Sequence, residues 1–242
     1  MIRNFILYGA LCLIIQGLVA CGPAGDTGTA EKTASSGRAG EKEQGPDIAR
    51  IDGGIEIIAF GDSLYAGYGL PPGNGFAPQL QAALRMKGVS VNVTNAGVSG
   101  DTTAAGRARL SFLLDNLQHP VDLVILGLGG NDMLRGISPE QTRENLTAMM
   151  DELQRRDIDV ILTGMLAAPN LGAEYGAAFN PIYSDLARDY AVPLYPFFLQ
   201  DVLGDDGLML SDNIHPNGAG VARIVGGMLP VVSDALKDKE KS

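Results

Sequence analysis

Three side chains in this sequence have the chemical types that nucleophilic acyl transfer requires: a serine, a histidine and a carboxylate. Ser63 follows the apolar run 55–60, and Asp212 stands three residues before His215 in a polar segment. A serine attacks a carbonyl effectively when a base takes its proton and a carboxylate fixes the tautomer of that base. The residue types therefore predict Ser63 as nucleophile, His215 as base and Asp212 as the residue that orients the imidazole.

The serine also has a purely structural explanation. Asp62 and Ser63 end an apolar strand at a turn, where such side chains commonly cap backbone amides. The segment is not the G-x-S-x-G elbow of α/β-hydrolases, because Tyr65 occupies the position of the second glycine. Whether Ser63 is a nucleophile therefore depends on what the ends of the other strands bring beside it.

The choice of base is narrow because the sequence contains 2 histidines. His119 lies between a predicted helix and the third predicted strand, which places it at the opposite edge of the sheet from the serine. His215 follows Asp212 closely enough for the carboxylate to reach its ring. Asp205 and Asp206 are alternative orienting residues, and Asp212 has an alternative role as a simple turn residue.

The elements that must position these residues alternate between strands and helices. Apolar or alternating runs predict strands at 55–60, 89–94, 123–128, 160–163 and 192–195. Helical spacing of apolar residues predicts helices at 76–86, 102–117, 138–156, 173–189 and 217–236, with Pro181 as a candidate kink. This alternation predicts one three-layer α/β/α domain around a five-stranded parallel sheet.

Residues that follow the strands of a parallel sheet share one edge, where such sheets bind ligands. Ser63, Gly100, Asn131 and the segment 212–215 all follow predicted strands. A tetrahedral oxyanion needs hydrogen-bond donors, and the Ser63 amide, the Gly100 amide and the Asn131 carboxamide can supply them. Taken singly, Gly100 has the features of a turn residue and Asn131 those of a helix cap.

Composition narrows the classes of ligand. The formal net charge of −10 argues against nucleic acid or an anionic membrane surface as the principal partner. No second histidine or cysteine lies near His215, and the glycine-rich stretches lack the lysine of a phosphate-binding loop. The sequence therefore predicts neither a metal nor a cofactor.

The first 20 residues have the features of a bacterial export signal. Arg3 supplies a positive charge, residues 5–15 are too short an apolar stretch to span a bilayer, and Cys21 follows Ala20. Residues 18–21 resemble the lipobox of bacterial lipoproteins, so we expect a signal peptide over 1–20 and a lipidated Cys21. The alternative is an ordinary secretory signal that is cleaved near Ala20. We expect a linker over 21–50, one domain over 51–238 and a tail over 239–242.

Four blocks, in order, resemble those of the SGNH (GDSL) hydrolase family: Gly-Asp-Ser-Leu at 61–64, Gly100, Gly-Gly-Asn-Asp at 129–132, and Asp212 with His215. Intervening stretches resemble the branch of periplasmic thioesterase I, lysophospholipases and arylesterases. The resemblance implies a flavodoxin-like sheet with strand order 2-1-3-4-5 and the residue roles given above. The resemblance also implies a cofactor-free serine esterase that acts on esters or thioesters of small to medium acyl chains. Together with the lipobox, it leads us to expect a monomer that is lipid-anchored in the bacterial cell envelope and faces the periplasm.

Apolar residues after the third and fourth predicted strands lie beside the predicted nucleophile. We expect them to form a groove for the acyl chain; they are Met133, Leu134, Leu166, Ala167, Pro169 and Leu171. The alternative is that they only pack their loops onto the core. Two other functions remain open: an acyltransferase or O-acetyl esterase acting on a cell-envelope sugar, and a binding module without catalysis.

Overall fold

The computed structural model describes residues 49–237 and residue 239, so the predicted signal peptide, Cys21, most of the linker and most of the tail lie outside it. Five parallel strands form one sheet in the order β2-β1-β3-β4-β5. Their bounds are Ile55–Gly61 (β1), Val91–Gly97 (β2), Leu123–Gly127 (β3), Asp159–Thr163 (β4) and Leu194–Tyr195 (β5). The predicted parallel sheet and its strand order are confirmed.

Helices connect the strands on both sides of the sheet. They are Ser63–Ala66 (α1), Phe76–Met86 (α2), Thr103–Asp115 (α3), Gly130–Leu134 (α4), Pro139–Arg155 (α5), Ala173–Phe179 (α6), Pro181–Asp189 (α7) and Gly218–Leu236 (α8), with a short 3-10 helix at Pro169–Leu171. Ser138 caps α5 by accepting the Gln141 amide, with Pro139 in the first turn. The cap and the proline thus start this helix where the sequence predicts.

Each face of the sheet has its own apolar core because alternate strand residues point to opposite sides. Ile57 and Ala59 of β1 face a core that contains apolar residues of α2 and α8. Ile58 and Phe60 face a second core, which α3, α5 and α7 cover. The sheet is therefore buried between two helical layers, and its exposed functional edge is formed by the residues that follow the strands.

Several element boundaries differ from the sequence predictions, and two of these differences have a clear physical cause. Strand β2 continues through Ala96 and Gly97, because these residues pair with Phe60 and Gly61 of the neighbouring strand. The predicted helix over 173–189 is two helices that meet at Asn180, since Pro181 has no amide hydrogen to continue the first one. The predicted kink is thus a complete break.

In the described part of the chain, α8 is the one helix that is long and apolar enough to cross a membrane by length and composition. Its buried residues include Val221, Ile224 and Met228, which pack into the core beneath β1 and β3. A core helix of a globular domain has the same composition, and this packing identifies α8 as such a helix.

Candidate active site

A row of three glycines positions the predicted nucleophile. Gly61 at the end of β1 pairs with Gly97 of β2 on one side and Gly127 of β3 on the other. A Cβ atom on Gly61 or Gly127 would lie 2.3 Å from the ring or hydroxyl of Tyr65, and one on Gly97 would lie 2.2 Å from the Ala66 amide nitrogen. The glycines therefore allow α1 to rest directly on the strand ends, with Ser63 at its first residue.

Two further contacts fix α1 in this place. The buried Tyr65 hydroxyl lies 2.8 Å from Thr163 Oγ1 at the end of β4. Asp62 caps the helix, because its Oδ1 accepts the Leu64 amide at 3.0 Å. As a result Ser63 is only partly buried and opens onto a cleft at the edge of the sheet.

A tight hairpin before α8 positions the histidine. Leu210 donates its amide to the carbonyl of His215 at 2.8 Å, and Met209 and Pro216 form an antiparallel bridge. Inside the turn, Asp212 Oδ1 accepts the backbone amides of Ile214 at 2.9 Å and of His215 at 3.0 Å. These two bonds hold one carboxylate oxygen and leave the other, Oδ2, to face the imidazole.

Ser63, His215 and Asp212 form a continuous hydrogen-bonded chain. The distance from Ser63 Oγ to His215 Nε2 is 2.8 Å, and that from His215 Nδ1 to Asp212 Oδ2 is 2.7 Å. Hydrogen bonds from the backbone and then the side chain of His215, with a further one from the Ile214 amide, lower the pKa of Asp212 to about 2. Asp212 is thus ionised at neutral pH and able to stabilise a protonated imidazole.

The alternative residues lie elsewhere. His119 is exposed on the connection between α3 and β3. Asp205 accepts the amide of Gly207 within its own turn at 2.9 Å, whereas Asp212 meets the His215 ring. One contact was not predicted: the ring of Tyr68 lies against that of His215, with 4.5 Å between their centroids.

The predicted oxyanion donors line the same cleft. Gly100, with φ of +87°, and Asn131, at the start of α4, both border the cavity together with Ser63. Arg135 Nη2 donates to the Gly100 carbonyl at 2.8 Å, which fixes the orientation of this peptide. No hydrogen bond engages the backbone amide of Ser63 or Gly100 within residues 49–237 and 239, so both can donate to a developing oxyanion.

Asp132, for which the sequence predicted no role, has a buried carboxylate that holds α4 in place. Asp132 is fully buried and accepts the Thr103 amide at 2.8 Å, the Thr103 hydroxyl at 2.5 Å and the Thr142 hydroxyl at 3.3 Å. These bonds tie the start of α3 and of α5 to the helix that carries Asn131. The sequence could have suggested this role, because Asp132 directly follows Asn131 in the Gly-Gly-Asn-Asp block.

The cleft has a volume of about 600 Å³ and is lined mainly by apolar side chains. Five of the six predicted groove residues line it: Met133, Leu134, Leu166, Ala167 and Pro169. Leu171 is not among the lining residues; it ends the 3-10 helix and is partly buried against the second core. Sequence reasoning missed several lining residues, namely Tyr68, Met165, Phe197, Leu199, Leu203 and Ile214.

Within the described ranges, no group of three or more histidine, cysteine, aspartate or glutamate side chains is arranged to hold a metal ion. The titratable side chains that line the cleft are those of Asp62, Tyr68 and His215. The chemistry that this arrangement can perform is therefore that of a hydroxyl nucleophile with an imidazole base.

Comparisons with known proteins find relatives of this chain in one family of hydrolases. The family model of the GDSL-like lipase/acylhydrolase family matches residues 59–223. Esterase TesA of Pseudomonas aeruginosa is 38% identical over 180 residues, which cover 74% of this chain and 89% of that protein. The arylesterase of Vibrio mimicus is 40% identical over 161 residues, which cover 66% of this chain and 80% of that protein.

Solved structures show the same likeness. The SGNH-hydrolase family esterase AlinE4 is 48% identical with a TM-score of 0.65, covering 76% of this chain and 97% of that one. The structure of TesA gives 38% identity and a TM-score of 0.70, covering 75% and 99% respectively. The chain belongs to the GDSL-like lipase/acylhydrolase family, the SGNH hydrolases.

Proposed function

We propose that this serine ester hydrolase forms an acyl-enzyme at Ser63 and acts on carboxylic esters or thioesters whose acyl chain occupies the apolar cleft. The observation that carries the proposal is the hydrogen-bonded chain from Ser63 Oγ through His215 to Asp212, which opens directly into that cleft. Relatives are named esterase, arylesterase and thioesterase/lysophospholipase, which supports ester and thioester bonds as the bonds to test.

The first half of the reaction transfers the acyl group to the enzyme. Ser63 Oγ attacks the carbonyl carbon while His215 Nε2 takes the hydroxyl proton, and the tetrahedral oxyanion accepts hydrogen bonds from Ser63, Gly100 and Asn131. The bond to the leaving oxygen or sulfur then breaks, and the imidazolium returns the proton to that atom. Asp212 keeps Nδ1 protonated throughout, so that Nε2 is free to accept.

The second half releases the acid. Water takes the place of the leaving group, His215 removes one of its protons, and the resulting oxygen attacks the acyl carbon. Collapse of the second tetrahedral intermediate breaks the bond to Ser63 Oγ, which recovers its proton from His215. The products are the carboxylic acid and the free enzyme.

The composition of the cleft favours an acyl chain over a sugar. A carbohydrate O-acetyl esterase needs polar side chains that bind hydroxyl groups, but leucine, methionine, phenylalanine and proline side chains dominate this wall. Tyr68, Leu134, Leu166, Leu203 and Ile214 remain 44–59% exposed around its opening. Such an opening suits the passage of a hydrophobic chain.

A charge at the opening should therefore penalise long chains selectively. Leu203 is 55% exposed and belongs to neither the triad nor the oxyanion hole, so Leu203→Asp should leave acetyl ester hydrolysis near the wild-type rate. For octanoyl esters, kcat/KM should fall about tenfold, because the chain loses part of an apolar contact on the order of 1.5 kcal/mol. The measurement is kcat/KM for p-nitrophenyl esters and acyl thioesters graded by chain length, with an acetylated glycan alongside.

The matched control is Phe112→Asp. Phe112 is 72% exposed on α3 and does not line the cleft. The same new charge there should leave the ratio of kcat/KM between octanoyl and acetyl esters unchanged. Equal losses for acetyl and octanoyl esters in Leu203→Asp would contradict the assignment of the cleft. Faster turnover of the acetylated glycan than of every acyl ester would favour the sugar esterase instead.

We further propose that Cys21, which lies outside the described residues, carries a lipid that anchors the enzyme in the bacterial cell envelope. In a bacterial host, Cys21→Ser should abolish incorporation of labelled fatty acid and move the protein from the membrane fraction to the soluble fraction. The reason is that the cysteine thiol is the acceptor of the lipid. A wild-type protein that is soluble and begins at another residue would contradict the proposal.

A further inference from the structure

Asp62 has a carboxylate whose burial the helix cap alone does not explain. It is 3% exposed, and no arginine or lysine in the described part of the chain pairs with it. Loss of solvent raises its pKa to about 6, with Asp101 adding to the increase. Burying a carboxylate in this way is costly, and a serine or asparagine would cap α1 without that cost.

The second oxygen of this carboxylate faces the predicted oxyanion site. Oδ1 accepts the Leu64 amide at 3.0 Å, while Asn131 Nδ2 lies 3.4 Å from Oδ2. Gly130 brings the start of α4 close, since a Cβ atom there would be 3.4 Å from the same Oδ2. Two donors from two different elements thus converge on the two oxygens of Asp62.

The carboxamide of Asn131 is oriented by acceptors on both sides. Its nitrogen donates to the carbonyl of Asp101 at 3.0 Å and points its other hydrogen towards Asp62. A flipped amide would place its oxygen against these two acceptors, which is unfavourable. Asp101 is itself held in place, because Arg109 donates to the Asp101 carboxylate at 2.6 Å and to the Gly61 carbonyl at 3.0 Å.

We propose that Asp62 is a positioning residue for the oxyanion hole, because its carboxylate and the Asp101 carbonyl together hold the carboxamide of Asn131 at the border of the cleft, beside the place where the carbonyl oxygen of the substrate becomes negatively charged. The contact of 3.4 Å between Asn131 Nδ2 and Asp62 is long for a hydrogen bond, so this N–H stays available to a stronger acceptor. The inference rests on the proposed reaction at Ser63 and adds a residue that acts on it through Asn131.

The chemistry requires a carboxylate and not merely a polar side chain of the same size. An asparagine at position 62 presents one acceptor and one donor, so it can satisfy the Leu64 amide or Asn131 but not both. A serine is shorter; it keeps the helix cap and loses the contact with Asn131. Asp62→Ser therefore separates the capping role of Asp62 from its positioning role.

The test is a double-mutant cycle between Asp62 and Asn131. Asp62→Ser should lower kcat about tenfold to a hundredfold with little change in KM, a loss bounded by the roughly 10²–10³-fold cost of Asn131→Ala. When Asn131 is already alanine, Asp62→Ser should cost less than threefold, because the group that it positions is gone. Thermal unfolding of each variant reports whether the cap and the fold are kept.

A merely structural role predicts a different result. Equal losses from Asp62→Ser in the two backgrounds, or a wild-type kcat in Asp62→Ser, would overturn the proposal. Should Asp62→Ser fold poorly, the isosteric Asp62→Asn serves in the same cycle with the same expected non-additivity. Failure of the proposed function would give a different result, because the wild-type enzyme itself would then hydrolyse no ester.

Discussion

Ser63→Ala, His215→Ala and the double variant should all retain similar, very low values of kcat on an activated ester, each reduced by roughly 10⁵–10⁶-fold. The reason is that the serine and the histidine act as one unit across the 2.8 Å bond between Oγ and Nε2. Without the base the hydroxyl is a poor nucleophile, and without the hydroxyl the base has no proton to take. Their losses should therefore not add.

The control for this series is His119→Ala. His119 is exposed and precedes β3, at the opposite edge of the sheet from Ser63, so its removal should leave kcat unchanged. A fluorophosphonate should label the wild-type enzyme at Ser63 and leave Ser63→Ala unlabelled. A folded His215→Ala enzyme with near wild-type turnover would end the proposed mechanism, and an unlabelled, inactive wild type would favour a binding module.

Asp212→Asn should lower kcat by about 10⁴-fold while keeping the fold, in line with the effect of the same change in a serine protease triad. The two backbone amides that bind Oδ1 demand an acceptor there, so the new amide nitrogen must take the place of Oδ2. That nitrogen donates to His215 Nδ1, which puts the ring proton on Nε2. A protonated Nε2 faces Ser63 Oγ and cannot accept its hydrogen.

The Asp212 carboxylate should not limit activity at mildly acidic pH. Because the pKa of Asp212 is lowered to about 2, this group stays ionised as the pH falls through 5 and does not cause loss of activity there. The carboxylate therefore stays available to orient the His215 imidazole over this pH range. Asp205→Asn is the matched control for Asp212→Asn and should keep full activity; near wild-type kcat in Asp212→Asn would contradict the assigned role.

The sequence predicted the residues of the site better than it predicted the walls of the cleft. Ser63, Asn131 and His215 follow strands or precede helices, and a parallel sheet brings such positions to one edge whatever the details of packing. Leu171 was assigned to the groove because it stands near the fourth strand. Position in the chain does not show the direction of a side chain, and Leu171 packs against the second core without lining the cleft.

Other features depend on contacts that only the folded chain reveals. Leu203 and Ile214 lie outside the predicted helices and strands, so the sequence does not mark them as cleft residues. The glycine row could be recognised only from the register that places Gly61 between Gly97 and Gly127. The orientation of Asn131 by Asp62 likewise requires distances between two elements that lie 69 residues apart.

The hairpin that carries His215 has a consequence for how the enzyme is made. The base stands 152 residues after the nucleophile, and only α8 follows it among the helices and strands of the described residues. Strand β1, which presents Ser63, also cannot be enclosed in the sheet until β3 has been synthesised, since Ile57 pairs with Leu123. A chain that emerges from its amino terminus therefore carries Ser63 as an ordinary hydroxyl for most of its synthesis, and hydrolytic activity arises only when the hairpin of His215 and α8 pack onto the sheet.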